Sequence, residues 1–146
     1  MTDLSAQPVR TASDAMVTQP WTHGTATTVA QAHEAFADAH VHMLLLTDGD
    51  ELRGALVRDD LVGDLDPEAP ALDAATLGGR TVGPGQDLEE ALQAMRQRGT
   101  RRLAVVADDG RLLGLLCLKR TLDGFCSDDD VRSRALEHGR LHRLGR

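Results

Sequence analysis

The sequence predicts an α+β fold built from two copies of one β-α-β-β-α unit, and three observations carry that prediction. Gly24–Phe36 (GTATTVAQAHEAF) and Gly83–Met95 (GPGQDLEEALQAM) align without a gap at an offset of 59 residues. Each stretch is followed by two apolar runs separated by an acidic turn, and the second run carries a central glycine, Gly54 or Gly114, now offset by 60. Both copies also open a helix with the same capping signature. A repeat of this period marks two similar supersecondary units that bury their apolar faces against each other.

The elements follow in order along each copy. A short strand at Trp21–His23, matched by Arg80–Val82, precedes the first helix. Thr28 with Gln31, and Asp87 with Glu90, are helix starts in which side chains satisfy the free N–H groups of the first turn. Leu88, Ala91, Leu92 and Met95 then recur at helical spacing, with Gly99 as the stop; Val29, Ala32, Phe36 and Ala39 make a weaker stripe. Met43–Thr47 and Leu103–Ala107 read as buried strands. Polar turns at 48–50 and 108–110 return the chain through Leu52–Val57 and Arg111–Leu118 as β-hairpins. A second helix is predicted near Arg58–Gly63 and again near Lys119–Phe125. The resulting organisation is repeat one at 10–63, a proline- and acid-rich linker at 64–74, repeat two at 75–125 and a charged C-terminal helix at 126–146. Ser127 caps that last helix, three aspartates follow it, and arginines lie toward the far end.

Composition narrows the function. At 146 residues and 41% hydrophobic, the chain suits one compact domain, and a copy of about 60 residues would be marginal alone, so the copies should share a core. The net charge of −7 hides an asymmetry. Residues 1–94 carry four Arg against sixteen acids, giving −12, and residues 95–146 carry twelve Lys or Arg against seven acids, giving +5. The second half could hold an anion, but the overall charge and the near absence of aromatic residues argue against nucleic acid. No segment approaches the roughly 18 apolar residues of a membrane span, and the N-terminus lacks a signal-peptide pattern. A cytoplasmic protein is expected, with Cys117 and Cys126 as reduced thiols. No nucleophile elbow, phosphate loop, dinucleotide glycine fingerprint or zinc-hydrolase motif is present, and no enzyme activity is expected. His23, His33, His40 and His42 lack helix-ligand spacing and read as surface or interface histidines.

The residues resemble a known family at this point. Asp14–Thr18, the capped helix, the hairpin with its glycine and Gly54–Asp60 (GALVRDD) look like one cystathionine β-synthase (CBS) domain, and Ala75–Leu122 looks like a second. The resemblance implies tandem repeats packed through their sheets with pseudo-two-fold symmetry and two related clefts between them. It also implies a homodimer, no required cofactor, and clefts suited to AMP, ADP, ATP or S-adenosylmethionine. The family's ligand signature, Gly, two hydrophobic residues, Thr or Ser, two further residues and Asp, is half kept in copy one: Gly54 and Asp60 are in register, but Val57 stands at the hydroxyl position, followed by Arg58. In copy two, Cys117 and Arg120 replace both the hydroxyl and the acid. Ahead of the first hairpin strand, where the family places phosphate-binding cations, copy two has Arg101 and Arg102 and copy one has His42.

The expected ligand-binding set is therefore Asp60, Val57, Arg58, His42, Arg101 and Arg102. The leading expectation is a stand-alone regulatory module that senses an adenosine-containing ligand and signals to an unidentified protein partner. The alternative is a degenerate pair that serves dimerisation or protein interaction without nucleotide. In the first case one unequal site is expected, because each copy lacks what the other keeps.

Overall fold

A computed structural model describes residues 10–18, 20–119 and 124–126. Its elements run α1 (Ala12–Ala15), β1 (Thr22–Gly24), α2 (Val29–Phe36), β2 (Met43–Asp48), β3 (Glu51–Val57), β4 (Thr81–Val82), α3 (Leu88–Arg98), β5 (Arg102–Val106) and β6 (Leu112–Cys117), with single 3-10 turns at Arg58–Leu61 and Ala71–Ala74. They form two three-stranded sheets of the same design, β1-β2-β3 and β4-β5-β6, each with its first pair parallel and its second antiparallel. Even the irregularities match: the ladder shifts at Leu46/Thr47 in one sheet and at Val105/Val106, 59 residues on, in the other.

The caps form as the sequence requires. Thr28 Oγ1 accepts from Gln31 N at 3.1 Å while Gln31 Oε1 accepts from Thr28 N at 2.9 Å, a complete capping box. In α3, Asp87 Oδ1 accepts from Glu90 N at 3.0 Å, but Glu90 takes a bond from Gln86 Nε2 and does not return to the cap. Gly99 ends α3 with φ of +70°, the left-handed conformation that glycine adopts without steric cost.

Burial explains why the strands read as unbroken apolar runs. Leu44 and Leu46 face a core with Val29, Ala32 and Phe36 of α2. Met43 and Leu45 face the opposite way, into a cluster with Leu52, Ala55 and Ala104, where residues of both copies meet. A strand covered on both faces needs no polar alternation. Leu103 and Val105 repeat the outward role in copy two, against Leu88, Ala91 and Met95.

The two copies exchange their leading segments. Residues 10–17, read as the start of repeat one, pack on copy two: Arg10 O accepts from Leu88 N, Ala12 is fully buried in the copy-two core, and Val17 pairs with Leu115. Reciprocally, Pro67 O and Ala69 O accept from Ala30 N and Val29 N, Ala71 is fully buried in the copy-one core, and Thr76 pairs with Ala55. The stretch read as a linker thus supplies helix-cap acceptors and core. At the hairpin tips the exchange is tighter still, with Leu52 N bonded to Gly110 O at 3.0 Å and Leu112 N to Asp50 O at 2.8 Å. These bonds map onto each other when the copies are swapped, as a pseudo-two-fold axis between the sheets requires.

One expected helix differs, and another lies partly outside the described residues. The one near Arg58–Gly63 is a single 3-10 turn, because Asp60 folds back to accept from Val57 N and Gly63 turns the chain at φ of +91°. In the stretch Lys119–Phe125, residues 120–123, including Arg120, lie outside the described residues. The flanking ones are not helical: Leu118 pairs antiparallel with Phe125, and Cys126 N bonds to Cys117 O. The predicted C-terminal helix beyond Cys126 also lies outside the described residues.

Candidate functional site

The residues singled out by sequence gather at the ends of the hairpins away from the tips. Antiparallel register sets Met43 opposite Val57 and Arg102 opposite Cys117, so the start of each first hairpin strand lies beside the end of the second. His42 and Arg101 precede those starts. They are 59 residues apart, hence equivalent positions, and they meet: Arg101 Nη1 lies 3.5 Å from His42 Nε2. A guanidinium can only donate, so His42 Nε2 is the acceptor. Arg101 Nε also donates to Leu118 O at 3.3 Å. Arg102 is buried, at 7% exposure, with Nη1 on the Arg101 carbonyl at 3.0 Å. Arg101 thus reaches across to the other copy.

On the copy-one side the end of β3 carries Val57, Arg58 and Asp60. Val57 is half-buried and offers no hydroxyl. Arg58 turns away from its neighbours and closes the end of α2: Nη2 donates to Phe36 O at 2.8 Å and Val41 O at 3.1 Å, and its guanidinium lies 5.2 Å from the Phe36 ring centre. Cations belong at a helix C-terminus, where carbonyls lack partners.

Asp60 has a partner that sequence reasoning did not assign. Arg80, just before β4, grips it with both arms, Nη1 to Oδ2 at 2.6 Å and Nη2 to Oδ1 at 3.0 Å, and gives Nη1 to Ala55 O at 2.8 Å as well. The pair is largely shielded, with side-chain exposures of 20% and 16%. Planar two-point pairing of this kind is the strongest charge-assisted geometry available to Arg. A copy-two cation therefore sits on the copy-one acid. The available signal was that Arg80 is the sole Lys or Arg between Arg58 and Arg96, within an acid-rich stretch.

Among the described residues no three of His, Cys, Asp or Glu come together as a metal site, and no helix is long and apolar enough to cross a membrane. Trp21 and His23 form a tilted ring pair with centroids 4.6 Å apart, away from the hairpin ends in sequence.

Comparison with known proteins shows what this arrangement is similar to. No curated protein matches the chain. The family model described as the CBS domain matches residues 80–133. Among solved structures, Hypoxic Response Protein I with two coordinated zinc ions is 27% identical over 73% of this chain and 92% of its own, with a TM-score of 0.59. CBSX2 in complex with AMP is 24% identical over 90% of this chain and 99% of its own, with a TM-score of 0.61. The cytosolic domain of the Mg2+ channel MgtE in complex with ATP is 24% identical over 78% of this chain and 48% of its own, also at 0.61. Residues 80–133 thus match the CBS domain, and the two exchanged repeats have the fold of a CBS pair.

Proposed function

We propose that the chain is a non-catalytic, cytoplasmic regulatory module that binds an adenosine-containing ligand, AMP, ADP, ATP or S-adenosylmethionine, where the hairpin ends of its two copies meet. The observation that carries the proposal is the His42–Arg101 contact, because it joins equivalent positions of both copies in one polar rim. A ligand seated there touches both repeats, so binding favours one arrangement of the pair over another, which is all that a signal to a protein partner requires. The AMP complex of CBSX2 and the ATP complex of the MgtE domain support the choice of ligand class. Arg101 suits phosphate, and Asp60 suits a ribose diol once its hold by Arg80 is exchanged. We further propose that the module works as a homodimer.

Isothermal titration of folded protein against the four ligands tests the reading. Heat with at least one is expected, at one ligand per chain, and Arg101→Ala should weaken it about tenfold or more, the loss expected for a charge-assisted phosphate contact. Absence of heat with all four would remove the adenosyl proposal.

A second reading is favoured by one observation, the occupation of both Asp60 oxygens by Arg80. In it the pair of residues is a structural clasp, the cleft is no longer a ligand site, and the chain is a dimerisation or protein-interaction module. Asp60→Ala separates the two. A lost thermal shift with nucleotide supports sensing, whereas partner binding that survives without any nucleotide response supports interaction alone.

A further inference from the structure

The geometry points to Cys117 and Cys126 as a reversible dithiol–disulfide switch that fastens the chain beyond β6 to the end of that strand. Leu118 pairs antiparallel with Phe125. On either side of this pair, Cys126 N bonds to Cys117 O at 2.6 Å and Lys119 N bonds to Gly124 O at 2.9 Å. The two bonds set Cys117 and Cys126 directly opposite each other. Opposite residues at a hydrogen-bonded position have α-carbons about 5.5 Å apart, inside the window of about 4.4–6.8 Å that a disulfide spans. Both side chains belong to one small apolar cluster with Val17, at 2% and 5% exposure, and they are not joined.

The bond would be a labile one. Opposed β-carbons lie about 4.5–5.5 Å apart, against about 3.5–4.5 Å in a disulfide, so closure draws the two segments together and leaves a bond more easily reduced than a structural staple. Only copy two can do this, because the residues 60 positions earlier are Val57 and Asp66.

The oxidant is a hydroperoxide such as hydrogen peroxide. One thiol sulfur attacks the peroxide oxygen, the O–O bond breaks, and a sulfenic acid and one water form. The second sulfur then attacks the sulfenic sulfur, the S–O bond breaks, and the hydroxyl leaves with the remaining thiol proton as a second water. Two thiols and one peroxide become one disulfide and two waters. A dithiol reductant reverses the change by exchange. Leu118, between the two segments, is the residue whose carbonyl accepts from Arg101 Nε and whose N–H bonds to Arg101 O at 2.8 Å. Oxidation therefore acts on the backbone that orients Arg101. The proposal does not rest on nucleotide binding.

The test uses the full-length, folded wild-type protein, treated with hydrogen peroxide, quenched, alkylated and mapped by peptide mass spectrometry. Loss of both alkylatable thiols is expected, with the Cys117 peptide linked to the Cys126 peptide within one chain, a mass lower by two hydrogens, and full reversal by dithiothreitol. Cys126→Ser should abolish the linked species. Thiols that remain alkylatable, links formed only between chains, or separate oxidation of each sulfur to a sulfinic acid would each overturn it.

Discussion

Arg80 and Asp60 show how a single ion pair can tie two repeats together. The pair joins the two copies, is mostly shielded, and satisfies Ala55 O and Val57 N at the same point. Removing one partner leaves a charge with poor solvation, so Asp60→Ala or Arg80→Ala should each cost about 1–3 kcal/mol in urea denaturation, above an exposed bridge and below a fully buried one. A double-mutant cycle should return coupling of about 1 kcal/mol or more, and additive losses would mean that the pair contributes nothing of its own. Glycine makes a different kind of point. A β-carbon on Gly114 would lie 2.5 Å from Val17 O and 2.6 Å from Met16 Sδ, and one on Gly54 would lie 2.7 Å from Leu72 Cδ1. Both glycines make room for the other copy's leading segment. Gly114→Ala should cost about 1–3 kcal/mol by overpacking, because the backbone oxygen of Val17 cannot swing aside.

The elements divide into those written locally and those that depend on distant partners. The capping box of α2, the left-handed stop of α3 and the two hairpins could be read from a few adjacent residues, since caps and turns act within one turn of chain. The exchanged segments could not. Ala12–Ala15 and Ala71–Ala74 are too short to show a period, and each acquires its role only from the other copy's core. A trace was present in the match of Ala12, Asp14 and Ala15 with Ala71, Asp73 and Ala74 at the same offset of 59. The candidate residues divide similarly: His42, Arg101 and Arg102 are singled out by the family resemblance, which places cations ahead of the first hairpin strand, whereas Arg80 is tied to Asp60 by tertiary packing alone. Arg58 was grouped with the cleft by position, and its bonds to the end of α2 are invisible to local pattern. Ala71→Asp probes the exchanged element directly. A carboxylate placed in the copy-one core should destabilise by about 3 kcal/mol or more and, in hydrogen exchange, should deprotect the amides of Val29 and Ala30 before those of α3.

At the scale of the whole molecule, symmetry of fold coexists with inequality of chemistry. The bonds between Leu52 and Gly110 and between Leu112 and Asp50 are equivalent, yet Asp60 has no counterpart acid and Arg101 meets a histidine at its own equivalent position. Titration with nucleotide should therefore show one class of site per chain; two equal sites would refute the inequality. The exchange of leading segments has a consequence for chain continuity. Each repeat is completed by residues that belong to the other side of the 64–66 stretch, and the interactions that complete it are noncovalent. Covalent linkage there sets the local concentration of the halves but contributes no contact needed by either core. A chain severed at residue 65 should then behave as a split protein: fragments 1–65 and 66–146, each poorly folded alone, should regain native circular dichroism when mixed as equimolar partners, with a midpoint that rises with concentration.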